Sequence, residues 1–336
     1  MKHSIYIFFA VLLLSCTRDN PDYLGGSLND QFGELVILDS LAPNTSSFNF
    51  SMVSPRFFEA QWSKNLNWEL NIVGQESGAS KQFSGFDNKL DIENSSWDGS
   101  SSDFPSFRKE SCDITLVLID NTDTIQMVST VNLSELKPTQ DGVKVVADFE
   151  DGLPTNTIVF EQSGADFGIQ EGFAAKGSSY YKMGGYVPYD YLLGSMKIPV
   201  DMQDFEGVSP LLLYFNMATI GGLQGEVPDN QFIKIVIREN DAENISQGET
   251  YSIEINPISW SNWQLFSLTY SDFTLENVVN NVQEPEKINQ IEILCLSCPA
   301  ESAPDPSAPI CSENTDLIVK TDIDFIAFTR NESYRP

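Results

Sequence analysis

The stretch "NWELNIV" (residues 67–73) alternates polar and apolar side chains as far as Ile72 and places Trp68, Leu70 and Ile72 on one face. Because successive side chains of an extended strand point to opposite sides, this period of two predicts a strand with one buried face. The pattern recurs in "CDITLVL" (112–118) and "IQMVSTVNL" (125–133), with apolar positions Ile114, Leu116, Leu118, Ile125, Met127, Val131 and Leu133. No run of apolar residues with the helical period of about 3.6 extends over more than about ten residues. The sequence therefore predicts an all-β protein.

Two β-sandwich domains suit the length of 336 residues, since one domain typically takes about 150. Residues 30–135 are predicted to form an immunoglobulin-like β-sandwich with Trp68 in its core. The polar segment 136–142 contains Pro and Gly and breaks the strand pattern, so it predicts a linker. Residues 143–332 hold about eight further strand-like segments, which suits a jelly roll of two stacked antiparallel sheets.

Residues 1–15 have the form of an export signal. Lys2 precedes an apolar run from Ile5 to Leu14, which is shorter than the roughly 20 residues that a membrane-spanning helix needs. The motif "LLSC" at 13–16 resembles the lipobox of bacterial lipoproteins, which implies cleavage before Cys16 and acylation of that cysteine. Residues 16–29 are predicted to be a lipidated flexible tether. Thr17 after the cysteine implies, by the same resemblance, an outer-membrane location.

The net charge of −29 and the pI of about 4.1 argue against nucleic acid as a partner. Phosphate backbones are bound by Lys and Arg, which are scarce in this chain. The sole histidine, His3, lies within the export signal. The exported chain therefore lacks the histidine that Ser/His/Asp and Cys/His triads and the usual catalytic zinc sites require.

Four cysteines other than Cys16 would be exported into an oxidising compartment. Cys112 lies in a strand pattern and is predicted to be a buried thiol. Cys298 opens a Pro-rich loop that ends near Cys311, and a disulfide between these two is favoured over a link from Cys295 to Cys311. A metal site at the "CLSC" spacing is the weakest of these interpretations.

Five segments in order resemble the galactose-binding-like jelly rolls of carbohydrate-binding modules. They are "DFEDG" (148–152), "KGSSYYKMGG" (176–185), "LYFNM" (213–217), "WSNWQLFSLTYSDF" (260–273) and "DIDFIAFT" (322–329). The tandem of a lipobox, an immunoglobulin-like part and such a jelly roll is similar to surface glycan-binding lipoproteins that accompany TonB-dependent glycan-uptake transporters. The resemblance implies a cell-surface protein that binds polysaccharide or glycoconjugate, with a TonB-dependent transporter or another envelope protein as partner.

The resemblance also implies a structural calcium between the first and last strands of the jelly roll, with Glu150 and Asp324 as ligands. Asp148 shares a strand face with Glu150, as residues i and i+2 do, and either Asp148 or Asp151 is predicted to help complete the shell. Calcium takes about six to eight oxygen ligands, so backbone carbonyls would also be needed. The alternative is that these are solvated carboxylates at strand ends.

Sugar-binding sites combine exposed aromatic faces with a few polar side chains. Tyr186, Tyr189 and Tyr191 lie among Gly and Pro, and Trp260 precedes a strand that holds Trp263. We expect Trp263 in the core and Trp260 exposed. The ligand-binding residues predicted from the sequence are Tyr186, Tyr189, Tyr191, Trp260, Asn216 and Arg238.

Three function classes follow from these patterns. The first is a non-enzymatic lipoprotein that binds glycan through its C-terminal jelly roll, and the second is a structural or adhesive envelope lipoprotein that contacts proteins. A glycan-cleaving enzyme comes third, because hydrolysis of a glycosidic bond needs two carboxylates at a suitable spacing. Asp148 with Glu150 and the motif "ENDAE" (239–243) offer such pairs, yet solvated carboxylates explain both.

Overall fold

The structure, a computed structural model, describes the chain from residue 33 onwards. The residues outside this description are 1–32, 121–122, 138, 187–191, 222–231, 241–247, 256–257, 259, 261, 278–280 and 297–317. The predicted signal, Cys16 and the tether therefore lie outside the described residues.

Six strands form one N-terminal sheet in the order β1-β3-β5-β6-β2, with β4 paired to β3. They are β1 Ile37–Pro43, β2 Ser47–Asn49, β3 Phe58–Gly74, β4 Ser80–Leu90, β5 Ser111–Asp120 and β6 Asp123–Glu135. All pairs are antiparallel except β2 with β6. Because β1 also contacts β6, the sheet curves around its own core.

The core of the N-terminal sheet is the predicted apolar face. Trp68, Leu70 and Ile72 are buried, as are the matching positions of β5, which confirms the period of two. Gly85 of β4 pairs with Trp68, and a Cβ at this position would lie 2.7 Å from the indole ring. Glycine is therefore required opposite the core tryptophan.

Twelve strands in the C-terminal part form two six-stranded antiparallel sheets. The front sheet has the order β15-β12-β18-β10-β9, with β7 paired to β18, and the back sheet has the order β16-β14-β13-β17-β11-β8. The strands are β7 Val143–Ala147, β8 Ile158–Glu161, β9 Gly168–Glu171, β10 Ser179–Tyr186, β11 Leu192–Pro199, β12 Leu213–Gly221, β13 Phe232–Glu239, β14 Thr250–Ile255, β15 Gln264–Thr269, β16 Thr274–Asn277, β17 Ile288–Leu296 and β18 Ile318–Arg330.

A continuous apolar core lies between the front and back sheets. Phe215 and Phe328 of the front sheet pack in the same buried cluster as Ile235 and Ile293 of the back sheet. All eight predicted strand segments are strands, and the all-β sandwich class is confirmed. The pairing of β7 with β18 confirms that the first and last strands of this part meet.

Helical structure is minor among the described residues. It consists of four single-turn 3-10 helices, Gln203–Phe205, Pro210–Leu212, Tyr270–Asp272 and Pro285–Lys287. Within the described part of the chain, no helix has the length and apolar character to cross a membrane.

The two described cysteines are free thiols. Cys112 is buried as predicted, and Cys295 is buried with its thiol directed at the Met183 carbonyl. The alternative link from Cys295 to Cys311 is therefore wrong. Cys298 and Cys311 lie outside the described residues, and their disulfide stays a prediction.

Candidate functional site

Glu150 lies in the turn after β7 and holds the loop between β9 and β10, residues 172–178, here termed the clamp loop. Its carboxylate accepts hydrogen bonds from the Ser178 N–H at 2.7 Å, the Ser179 N–H at 2.7 Å and the Ser178 hydroxyl at 2.9 Å. Gly177 has a φ of 70° and packs directly on the same carboxylate, leaving no room for a Cβ. Glu150 thus determines the conformation of the end of the clamp loop.

Asp324 holds the same loop from β18. Its fully buried carboxylate accepts hydrogen bonds from the Lys176 N–H at 2.9 Å and the Phe325 N–H at 2.6 Å. Burial raises the pKa of Asp324 to about 7, and the nearby charge of Glu150 also raises it. Two carboxylates therefore share the amide donors of one short loop.

The predicted calcium ligands come together only in part. Glu150 and Asp324 hold the same loop, and Asp148 accepts a hydrogen bond of 3.4 Å from the Glu150 N–H. No group of three or more His, Cys, Asp or Glu among the described residues is placed to hold a metal ion. N–H and O–H donors already surround the oxygens that calcium would use, so the arrangement is a hydrogen-bond clamp and calcium binding stays a prediction.

The predicted aromatic platform is not supported where the structure describes it. Trp260 is half-buried, its ring centre lies 5.1 Å from that of Phe266, and its Nε1–H donates to the Thr219 carbonyl at 3.0 Å. The expectation of an exposed Trp260 is therefore wrong, whereas Trp263 is buried as expected. Tyr189 and Tyr191 lie outside the described residues, and of Tyr186 only the backbone, at the end of β10, is described.

Asn216 and Arg238 do not form a common site. Asn216 is fully buried in β12, where its Nδ2 donates to the Thr329 hydroxyl at 3.0 Å and its Oδ1 accepts from the Ser267 hydroxyl at 2.6 Å. Its prediction as a ligand-binding residue is wrong, because these internal bonds use its amide. Arg238 is exposed on β13 of the back sheet, whereas Asn216 belongs to the front sheet.

Glu239, the first residue of "ENDAE", ends β13 with a buried carboxylate. Its Oε1 accepts hydrogen bonds from the Tyr270 hydroxyl at 2.7 Å and the Glu284 N–H at 2.6 Å. Burial raises the pKa of Glu239 to about 7, and the charge of Glu249 also raises it. The acidic positions of this motif that lie outside the described residues are Asp241 and Glu243. Glu239 itself is enclosed by protein partners and serves the packing of this end of the sandwich.

The N-terminal part docks on the outer face of the front sheet through the loop between β4 and β5. The Phe104 ring centre lies 6.0 Å from that of Phe325 and 6.3 Å from that of Tyr334. Beside this aromatic cluster, the Ser106 N–H donates to the Ala175 carbonyl of the clamp loop at 2.7 Å. The clamp loop therefore connects the two parts of the chain.

A cavity of about 540 Å³, here termed the junction groove, lies beside the clamp loop. It combines charged side chains with one tyrosine from five segments of the chain: Arg108, Lys109, Lys137, Asp148, Glu150, Lys176, Glu332, Tyr334 and Arg335. Five Lys and Arg side chains line it against three carboxylates, whereas the whole chain has 19 Lys and Arg against 48 Asp and Glu. The groove is thus a site where the charge balance departs from that of the chain.

The groove was not predicted from the sequence. The signal that points to it is "SFRKE" (106–110), where Arg108 and Lys109 stand together in a chain with few cations. Two neighbouring cations do not indicate where they will face, and Lys176 joins them only through the docking of two parts distant in sequence.

No protein-family model and no curated protein sequence matches this chain. Among solved structures, the chain is similar to a family 11 carbohydrate-binding module of Clostridium thermocellum in complex with a β-1,3-1,4-mixed-linked tetrasaccharide, at 14% identity and a TM-score of 0.38, over 58% of this chain and 100% of that one. SGBP-B from a complex xyloglucan utilization locus of Bacteroides uniformis gives 9% identity and a TM-score of 0.35, over 87% and 73%. The enzymatically active domain of tailspike protein 4 of bacteriophage CBA120 gives 9% and 0.32, over 55% and 20%. At this level of similarity, function has to rest on the residues of this chain.

We expect Glu150→Ala to lower the free energy of unfolding by about 1–3 kcal/mol, because two backbone N–H groups lose their acceptor. Ser178→Ala is the matched control and should cost less, since it removes only the hydroxyl donor. Thermal denaturation with calcium and with chelator tests both the clamp and the metal. A chelator effect on the wild type that disappears in Glu150→Ala supports calcium, and a wild type indifferent to calcium contradicts it.

The raised pKa of Glu239 predicts a pH dependence of stability. The ordinary value is 4.5 and the folded value is about 7, so the folded state holds the proton where the unfolded state has released it. The free energy of unfolding should therefore fall as the pH rises from about 4.5 to 7, by roughly 2–3 kcal/mol for this group. Glu239→Gln, which stays neutral, should flatten the dependence of Tm on pH between pH 5 and 8. The exposed Glu206→Gln should leave the slope unchanged, and equal slopes in all three proteins contradict the assignment.

Proposed function

We propose that this protein is a lipid-anchored lipoprotein of the outer-membrane surface that binds a polysaccharide or glycoconjugate without cleaving it. The binding site in this proposal is the junction groove. The observation that carries it is a cavity of about 540 Å³ that brings several charged hydrogen-bonding side chains and Tyr334 to one place. Ligand sites in proteins typically enclose about 300–1,000 Å³.

The composition of the groove suits a saccharide. Sugar hydroxyls need both donors and acceptors, and the groove offers ammonium and guanidinium donors together with carboxylate acceptors. Sugar rings also present C–H faces that pack on aromatic or apolar surface, and the edges of Phe107 and Tyr334, which are 5% and 8% exposed, reach the lining. Leu136 adds a further apolar contact.

The groove is held in shape before any ligand arrives. Glu150 and Asp324 anchor the clamp loop, and the cluster of Phe104 with Phe325 and Tyr334 packs beneath it. Binding to a pre-formed site avoids the free-energy cost of ordering side chains and loops. This rigidity supports binding. The carboxylate of Glu150 is already engaged by the clamp loop, so it is not free to act with Asp148 as a catalytic pair on a bound glycan.

Anchoring follows from the lipobox. Acyl chains on Cys16 would hold the protein on the outer membrane, and residues 16–29 would give the folded part freedom to move about the anchor. A glycan captured there would be passed to a TonB-dependent transporter or an enzyme of the same envelope. In the proposal, the export signal brings the protein to the envelope and the tether lets the folded part reach the glycan and the transporter.

A structural or adhesive lipoprotein that contacts proteins is the second candidate. The observation that favours it is the edge strand β8, where Ile158 and Phe160 share an outward face and are 63% and 49% exposed. Exposed apolar side chains on a strand edge suit a protein contact. Glycan binding decides between the two, because this candidate requires none.

A glycan array followed by calorimetry on the purified protein tests the binding function. Thr139 is exposed at the groove lining, so Thr139→Trp should fill the groove and weaken binding by roughly tenfold or more. Thr274→Trp places the same ring on the exposed edge strand β16 and should leave affinity unchanged. Binding that both variants preserve would move the site elsewhere, and no binding to any glycan would leave the second candidate.

Acylation is tested by incorporation of labelled palmitate in a bacterial host. The wild-type protein should take up label and sediment with outer membranes, whereas Cys16→Ser should remain unlabelled. Cys112→Ala, which removes a buried thiol, is the control and should be labelled normally. An unlabelled wild type would exclude the lipid anchor.

A further inference from the structure

The charge balance of the junction groove differs from that of the whole chain. Two of its cations have carboxylate partners just outside the lining, since Lys109 lies 2.8 Å from Glu135 and Lys137 lies 2.5 Å from Asp98. Even with these two carboxylates counted, the side chains of the groove carry as many positive as negative charges, while the side chains of the whole chain sum to −29. An anionic ligand is therefore repelled less here than over most of the surface.

Arg108 keeps its charge available to the groove. Its Nη2 donates to the Gly172 carbonyl at 2.8 Å, which orients the guanidinium. Glu110 accepts from the Arg108 backbone N–H at 2.9 Å, and no carboxylate of the described residues forms a salt bridge with the guanidinium group itself. Its Nε is buried, and among described residues it has no acceptor; the buried Ser106 hydroxyl beside it likewise has no partner. Arg108 therefore contributes to the groove lining a guanidinium group that no described carboxylate neutralises.

Lys176 is the second such cation. Its Nζ donates to the Tyr334 hydroxyl at 3.0 Å and lies 4.2 Å from the centre of the Phe325 ring. These contacts orient the ammonium group with neutral partners, and no described carboxylate forms a salt bridge with it. Arg108 and Lys176 both line the junction groove, one from each part of the chain.

The carboxylates of the groove are mostly engaged elsewhere. Glu150 accepts three hydrogen bonds from the clamp loop and its neighbour, and Glu332 binds Arg335 at 2.7 Å and Gln140 at 2.8 Å. Asp148 is the remaining carboxylate of the lining. Most of the acidic surface acts weakly on a ligand in the groove, because charges are screened over a Debye length of about 8 Å at physiological salt.

We infer that the glycan bound in the junction groove is acidic, and that Arg108 and Lys176 receive its carboxylate or sulfate group. The inference rests on the proposed function and names the class of saccharide. A guanidinium group binds a planar carboxylate or a sulfate through two parallel N–H donors, and a lysine adds a point charge. Selection for an acidic sugar follows, since a neutral sugar offers these two cations no opposite charge.

The test measures binding of the full-length protein to matched pairs of oligosaccharides by calorimetry. The carboxylated probes are oligogalacturonate, alginate and hyaluronan oligomers, each paired with its carboxyl-reduced, neutral form. A chondroitin sulfate oligomer, paired with its desulfated form, separates sulfate from carboxylate recognition. We expect at least one acidic probe to bind at least tenfold more tightly than its neutral partner, with affinity falling as salt is raised.

Two groove variants and one control assign the effect. Arg108→Gln and Lys176→Met should each lose most of the preference for the acidic probe, while Lys176→Arg should retain it. Lys176→Met keeps the aliphatic stem over Phe325, and the Tm of every variant is measured to separate loss of binding from loss of folding. Arg238→Gln removes an exposed guanidinium from the back sheet and should bind like the wild type.

The outcomes separate the inference from the proposed function. Equal binding of acidic and neutral partners, or binding to neutral glycans alone, overturns the inference and leaves glycan binding intact. A preference that survives in well-folded Arg108→Gln and Lys176→Met proteins also overturns it. Failure of the wild type to bind any probe, acidic or neutral, overturns the proposed function together with the inference.

Discussion

The hydrogen bonds from the clamp loop to Glu150 and Asp324 hold together parts of the chain that are far apart in sequence. The amide groups of this loop point toward the two carboxylates, while the carbonyls of Gly172 and Ala175 accept from Arg108 and Ser106 of the N-terminal part. The N–H groups of this short loop thus bind carboxylates of the C-terminal sandwich, and its carbonyl groups bind the β4–β5 loop of the N-terminal part. The position of Lys176, and with it the shape of the junction groove, depends on both sets of bonds.

This arrangement has an electrostatic cost that the surroundings offset. Asp324 is buried without a cationic partner, and its raised pKa measures how strongly burial opposes its charge. Backbone N–H groups supply the compensation through hydrogen bonds, which lower the pKa relative to burial alone. Lys176 nearby is stabilised by aromatic rings and a hydroxyl instead of a carboxylate. Opposite charges are therefore kept apart within one small region, which leaves the cation available.

The sequence predicted which segments form strands better than it predicted which strands lie side by side. Period-two patterns identified the strands that carry Trp68 and Ile114, because alternation is a local property of the chain. Strands β8, β9 and β16 are four residues long, too short for a recognisable period, and β11 follows a Tyr-, Gly- and Pro-rich run. Asn216 and Arg238 were placed together on local grounds, yet strand pairing puts them in different sheets. The junction groove was not predictable, since it forms only when distant segments dock.

Phe104 packs against two rings of the C-terminal part, Phe325 and Tyr334, and this has a consequence for how the chain can be divided. A cut at 136–142 would separate Phe104 from Phe325 and Tyr334 and leave aromatic surface exposed to water on both fragments. The linker predicted from the sequence therefore does not separate two parts without apolar contact, because the Phe104 cluster joins them. Fragments made at the linker would therefore be prone to self-association through the apolar surfaces that cover each other in the whole chain.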